Sequence, residues 1–143
     1  MDLQEVYITE PNTDLSSLKT AGEVYIYAPN ADLSGLQTVE KKVYINGANA
    51  DLSSLKTANT VIINAANANL SGLQTVGGIV INAENAKFPK LETAVRVLIN
   101  AENANLSSLQ TAKRVVIWAK NANLSSLKTA GRKYYIYLPK TPI

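Results

Sequence analysis

A segment of about 18 residues recurs along almost the whole chain, and this repeat restricts the fold more than any other feature. Each copy follows the pattern L-x-x-L-x-T-A-x-x-V-x-I-x-x-x-N-A-x. Successive copies begin at Asp14, Asp32, Asp51, Asn69, Lys87, Asn105 and Asn123. Units this short cannot bury their apolar side chains alone, so the pattern predicts copies that stack on one another.

The V-x-I trio of each copy alternates apolar positions with a period of two, which is typical of a short β-strand. Its first and third residues are predicted to point inward: Val6/Ile8, Val24/Ile26, Val43/Ile45, Val61/Ile63, Ile79/Ile81, Val97/Ile99, Val115/Ile117 and Tyr134/Ile136. No amphipathic segment of helix length separates the trios, so we expect an all-β chain with its strands stacked in parallel. Eight strands at ~4.8 Å spacing would form a rod on the order of 35–40 Å long.

Two columns of leucines accompany the strands, and a third column is mostly alanine. These inward positions do not recur every six residues, which disfavours a left-handed helix of hexapeptide repeats. The sequence therefore predicts a right-handed parallel β-solenoid of about eight coils of 18–19 residues, in a single domain over residues 1–143.

The unit L-x-x-L-x-T-A/V-x-x-V-x-I with a following Asn resembles a very short leucine-rich repeat. Residues 70–82, LSGLQTVGGIVIN, are also similar to uncharacterised bacterial and phage proteins built from L-x-x-L-x-T-V-G-G-x-V-x-I units. The copies are shorter than the usual ~20–29 residues of a leucine-rich repeat, and their Asn lies one position later after the strand. The resemblance implies a solenoid and, by analogy, a binding scaffold, and it implies no catalytic residue.

The middle position of the trio is the most informative for function. It should point outward, because successive side chains of a strand alternate, yet each copy holds an apolar or aromatic residue there. An exposed apolar ridge of this length exceeds what monomers usually carry. We therefore predict a partner-binding face that includes Tyr7, Tyr25, Tyr27, Tyr44, Trp118, Tyr135 and Tyr137. The alternative is that these side chains only support the sheet, since aromatic and β-branched residues favour strands.

Charge is segregated along the chain. Residues 1–51 hold eight acidic and three basic residues, a net charge of −5, whereas residues 103–143 hold seven basic and no acidic residues. The predicted basic patch consists of Lys113, Arg114, Lys120, Lys128, Arg132 and Lys133. It could bind nucleic acid or another polyanion, attract the acidic end of a second rod, or simply keep the open sheet end from pairing. The last reading is the one we favour.

Threonine and asparagine also form regular columns. The threonines could act as a hydroxyl array for ice binding, but we interpret them as turn residues whose hydroxyls bond the backbone. The asparagines before Ala31, Ala50, Ala68, Ala86, Ala104 and Ala122 are expected to adopt left-handed backbone geometry and to bond one another from coil to coil.

The chain has no cysteine and no histidine, which removes thiolate metal sites and the commonest general base. Its carboxylates mostly coincide with predicted turns, where Asp is expected in any case. We predict no enzyme activity, no metal site and no cofactor. No signal peptide or membrane span is evident, which favours a cytoplasmic location and leaves a secreted or surface location open.

These observations predict a non-enzymatic interaction scaffold. Its partner is expected to be another protein or a second copy of the chain in a homodimer, and no membrane contact is expected. The alternatives are a structural self-assembling or ice-binding solenoid, and a polyanion-binding protein that uses its basic end.

Overall fold

The chain folds as a parallel β-solenoid. The computed structural model of the protein describes the backbone of residues 2–137 and the side chains of residues 3–128. It contains β1 (Asp2–Ile8), β2 (Thr20–Ile26), β3 (Thr38–Ile45), β4 (Thr57–Ile63), β5 (Thr75–Asn82), β6 (Asn85–Lys87), β7 (Thr93–Asn105), β8 (Thr111–Asn123) and β9 (Thr129–Tyr137). One parallel sheet joins them in the order β1-β2-β3-β4-β5-β7-β8-β9, with β6 paired to β7. The described residues include no helix.

The predicted inward residues of the V-x-I trios form the core. Val6 pairs in register with Val24, and Ile8 with Ile26, and the same pairing continues from strand to strand along the rod. Every Val and Ile at these positions from β1 to β8 is buried. The stacked, all-β solenoid predicted from the repeat is confirmed, whereas its right-handed winding stays a prediction.

The L-x-x-L part of each copy is a tight turn with both leucines directed inward. In the second coil the N–H of Leu36 donates to the carbonyl oxygen of Leu33 at 3.0 Å, and both side chains are fully buried. The same bond closes the corresponding turns in the other coils from Leu15–Leu18 to Leu124–Leu127. Three intervening peptide units thus reverse the chain while its apolar side chains stay in the core.

Asp or Asn precedes most of these turns and caps them. The backbone N–H of Ser34 donates to the Oδ1 of Asp32 at 3.0 Å, and Asn69 accepts from Ser71 in the same way. The fifth coil has Lys87 in place of the acceptor, and Pro89, which has no N–H, in place of the donor. The missing acceptor therefore leaves no backbone donor unpaired. The predicted turn role of the aspartates is confirmed at these positions.

The asparagine column adopts two backbone conformations. Asn30, Asn49 and Asn67 have positive φ angles of 60–62°, as predicted, and Asn12 in the first coil, which was not predicted, has the same geometry. Asn85, Asn103 and Asn121 instead lie in the extended strands β6, β7 and β8. Within each of these two groups, hydrogen bonds of 2.8–3.2 Å join the asparagine side chains of neighbouring coils. The prediction of left-handed geometry is thus confirmed for the first group and wrong for the second, which continues the strand through the corner.

Two further expectations are corrected. The threonines do not lie in turns: Thr20 and its equivalents are the first residues of the long strands after β1, and they pair in register with one another. Leu3, which the sequence places in the inward column of small residues, is exposed. It lies in β1, which pairs with β2 alone among the described strands.

Adjacent glycines in β5 provide a matched test of the coil spacing. A Cβ atom at Gly77 would lie 2.6 Å from the carbonyl oxygen of Asn59, whereas a Cβ at Gly78 would meet nothing within 4 Å. We expect Gly77→Ala to lower the free energy of unfolding by about 1–3 kcal/mol because it forces two coils apart. Gly78→Ala should raise it by about 0.5–1 kcal/mol, because it restricts the unfolded chain. Urea unfolding of both variants measures this, and equal effects would contradict the coil spacing.

The two asparagine conformations predict different costs for the same substitution. Asn49 and Asn103 each bond an asparagine in both adjacent coils, but only Asn49 has a positive φ. Asn49→Ala should therefore be about 1–2 kcal/mol more destabilising than Asn103→Ala, since alanine is strained in the left-handed region. Asn49→Gly removes that strain and should resemble Asn103→Ala. Thermal unfolding compares the three variants, and an Asn49→Gly variant as unstable as Asn49→Ala would be inconsistent with this origin.

Candidate interaction face

The outward side of the sheet carries three parallel columns of side chains, which we call the strand face. The ridge is the middle column, and it consists of Tyr7, Tyr25, Tyr44, Ile62, Val80, Leu98 and Val116, followed by the register position of Tyr135. The charge column lies two residues before it and consists of Glu5, Glu23, Lys42, Thr60, Gly78, Arg96 and Arg114, followed by the register position of Lys133. The third column lies two residues after the ridge and includes Tyr27, Asn46, Asn64, Asn82, Asn100 and Trp118.

Four of the predicted face residues form an aromatic cluster at the N-terminal end. The rings of Tyr7 and Tyr25 stack with centroids 5.0 Å apart and an angle of 8° between their planes. Tyr44 lies 6.5 Å from Tyr25 and 6.0 Å from Tyr27, in tilted arrangements. Tyr7 remains 58% exposed and Tyr27 is also exposed. The cluster is thus ordered by mutual ring contacts and still presents rings to solvent.

Carboxylates beside the cluster change the acidity of its phenols. The hydroxyl of Tyr7 donates to the Oε2 of Glu5 at 3.1 Å, which shows that the two columns share one side of the sheet. This bond raises the pKa of Tyr7 above its ordinary value, with burial and the Glu5 charge adding to it. Burial and the charge of Glu23 raise the pKa of Tyr25. Both shifts extend to higher pH the range in which these rings stay neutral and can donate a hydrogen bond.

Apolar side chains continue the face beyond the tyrosines. Val80 and Leu98 are exposed, Leu98 by 40% of its surface, and Ile62 and Val116 are partly buried. Trp118, beside the C-terminal part of the ridge, is 45% exposed. Tyr135 and Tyr137 occupy the register positions next to Val116 and Trp118, and their side chains lie outside the described residues. The structure thus brings the predicted residues onto one face, although two of them only through their backbone.

A shallow depression interrupts the charge column at mid-rod. It is lined by Asn59, Thr60, Gly77, Gly78, Val95 and Arg96. It exists because Gly77 and Gly78 carry no side chains, and the exposed Val95 borders it. Both glycines lie within strand β5.

The predicted basic patch is spread over several segments. Lys113, Arg114 and Lys120 are exposed on β8, and Lys128 is exposed just before β9. Arg114 belongs to the strand face, where it lies in register with Arg96 and with the backbone of Lys133. Arg132 and Lys133 belong to β9, and their side chains lie outside the described residues. The basic residues missed as face residues are Lys42 and Arg96, and Arg96 neighbours Arg114 in space and not in sequence.

Among residues 2–137 there is no group of three His, Cys, Asp or Glu side chains that could hold a metal ion, and no helix that could span a membrane. Comparison of the chain with protein-family models, with curated proteins and with solved structures gives no match. The fold and the face define the class of protein: a parallel β-solenoid whose strand face carries an apolar and aromatic ridge between two more polar columns.

The raised phenol pKa values predict a pH dependence. Each pKa is higher in the folded than in the unfolded state. The contribution of these phenols to the free energy of unfolding is therefore fully present below the ordinary pKa of 10.0, and it is lost as pH rises through the folded-state pKa. Glu5→Gln should lower the pKa of Tyr7 more than that of Tyr25. Carbon NMR of labelled tyrosine rings during an alkaline titration measures both values. Glu92→Gln, an exposed position just before β7 and outside the strand face, is the control, and an unchanged pKa of Tyr7 in Glu5→Gln would contradict the hydrogen bond.

Proposed function

We propose that this protein is a non-enzymatic interaction scaffold that binds a protein partner, or a second copy of itself, through the strand face. The observation that supports this most directly is the unbroken column of apolar and aromatic side chains along the ridge, of which Tyr7, Val80 and Leu98 are exposed and the others are partly buried. Surfaces rich in Tyr and Trp supply most binding energy at protein interfaces. A stack of hydrogen-bonded coils also presents them with little loss of conformational entropy on binding.

The hydrogen bonds of the aspartate column favour a structural role for these carboxylates over a catalytic one. Asp14, Asp32 and Asp51 each accept the backbone N–H of the serine two residues later, at 2.9–3.0 Å. These bonds shape the turns of the first coils, which gives the aspartate column a function in folding. We further propose, from the L-x-x-L turn followed by a short parallel strand, kinship with very short leucine-rich repeats and with the similar bacterial and phage repeat proteins.

Polyanion binding at the basic end is a second candidate. Arg96 and Arg114 lie exposed on adjacent strands, where their charges are within reach of one extended anion. The other basic side chains lie on different segments, and for that reason we prefer protein binding. The ice-binding alternative has less support, because the exposed threonines form one column beside Lys19, Gln37 and Lys56 and not a flat array.

Replacement of one ridge residue tests the proposed function. Tyr44→Asp places a charge in the aromatic cluster and should weaken any association of the protein at least tenfold, as expected for a residue at the centre of an interface. Light scattering after size-exclusion chromatography measures self-association. Partners other than a second copy are captured on the immobilised protein and purified, and the affinity of each for the wild type and for the variant is then measured by titration.

Gln37→Asp introduces the same charge at an exposed position outside the strand face and serves as the control. It should behave as the wild type. Circular dichroism establishes that both variants fold. Retention of every wild-type association by folded Tyr44→Asp would exclude the strand face as the binding surface, and a bound partner that is nucleic acid would favour the second candidate.

A further inference from the structure

The distribution of charge on the strand face selects a particular partner. We propose that two copies of the chain form a closed antiparallel homodimer, strand face to strand face, with a two-fold axis parallel to the strands between β4 and β5. This inference rests on the proposed function, because it names the occupant of the same face.

Symmetry determines which residues meet in such a dimer. A two-fold axis along the strand direction preserves the strand direction and reverses the order of the coils. Each of the three columns therefore faces its own copy in reverse order. The first coil lies opposite the eighth of the second copy, the second opposite the seventh, and the fourth opposite the fifth.

The charge column is complementary to its own reverse. Glu23 in the second coil lies opposite Arg114 of the second copy, and Glu5 lies opposite the register position of Lys133. Each of these contacts occurs twice because of the symmetry. Lys42 opposite Arg96 is the one pair of like charges in the column. The net charges of −5 for residues 1–51 and +7 for residues 103–143 favour the same antiparallel orientation.

The third column also matches its reverse. Tyr27 lies opposite Trp118 of the second copy, which pairs two exposed aromatic side chains. Asn64 lies opposite Asn82, and an amide can both donate to and accept from another amide. At the axis, the Thr60 side chain faces the depression left by Gly77 and Gly78 of the second copy. Polar, aromatic and steric features thus agree on one register.

The face has the size that a stable dimer needs. Eight strands at ~4.8 Å and three columns at ~7 Å give on the order of 500 Å² in projection. The relief of the side chains raises the accessible area toward the ~800 Å² per partner of a standard interface. The apolar ridge is the central column of that area, and the antiparallel arrangement covers it from end to end.

Other pairings of two copies are less favourable. An axis along the rod would place the acidic ends beside each other and the basic ends beside each other, with repulsion at both. A head-to-tail contact between the acidic start and the basic end would leave the ridge exposed and would continue into a filament, because it is not closed. Only the antiparallel pair covers the ridge and brings opposite charges together.

Charge reversal with complementation tests the pairing. Glu23→Arg places like charges opposite each other at both symmetric contacts, and Arg114→Glu does the same with the opposite sign. Each variant alone should dimerise at least tenfold more weakly than the wild type in sedimentation-velocity experiments at low salt. An equimolar mixture should regain dimers, because both contacts are then of opposite charge. Lys120→Glu, an exposed reversal outside the strand face, should dimerise as the wild type does.

Three results would overturn the proposal: a monomeric wild type at all concentrations, oligomers that grow beyond the dimer, or a mixture that associates no better than its components. Residues 23 and 114 are five coils apart, roughly 24 Å along the rod, so recovery in the mixture cannot arise within one chain. A monomeric wild type that still binds another protein in a Tyr44-dependent way would remove the dimer and leave the proposed function intact.

Discussion

The register between neighbouring coils is the constraint on which the rest of this structure depends. Each strand hydrogen-bonds to the strand one copy earlier and one copy later, and equivalent residues lie side by side. A residue type that recurs at one position of the repeat therefore forms a column of side chains along the rod. The recurring valines and isoleucines form a continuous core, and the recurring asparagines form a row of side chains that hydrogen-bond to one another. Departures from the repeat consequently stand out as functional candidates.

Most departures from regularity are absorbed without loss of hydrogen bonds. Where Lys87 replaces the turn-capping Asp or Asn, Pro89 removes the donor that would need capping. Where the corner changes from left-handed to extended backbone after Asn67, the side-chain amides continue to bond within the second group. The strand face departs from the repeat in another way. Its side chains point away from the core, and the residues at equivalent positions are acidic and aromatic at the N-terminal end and aliphatic and basic toward the C-terminal end. A face that differs between its ends can select an orientation, whereas a uniform one cannot.

The period of the chain was sufficient to predict strands, their parallel order and the inward residues, because a two-residue alternation repeated at fixed spacing has few ways to bury its apolar side chains. The threonine column was misplaced in a turn because Thr20 and its equivalents precede the small inward Ala21, and a strand that begins there is indistinguishable in sequence from a corner. The extended conformation of Asn103 was missed because its local sequence, NAENAN, closely resembles NAANAN around the left-handed Asn67.

By itself, the sequence determined the stack: equal copies with inward aliphatic residues must pile up in register to remove those residues from water. The composition of the outward columns was decided by the tertiary structure. The extra residue near Lys41 and Lys42 shifts the register between β2 and β3, and it is Lys42 that pairs with Glu23 and joins the charge column. Glu23 and Arg114 come to share a line on one surface only because five successive strand pairings hold their strands parallel. The hydrogen bonds between coils decide which residues are adjacent on this face, and the distance between two residues in the sequence does not reveal it.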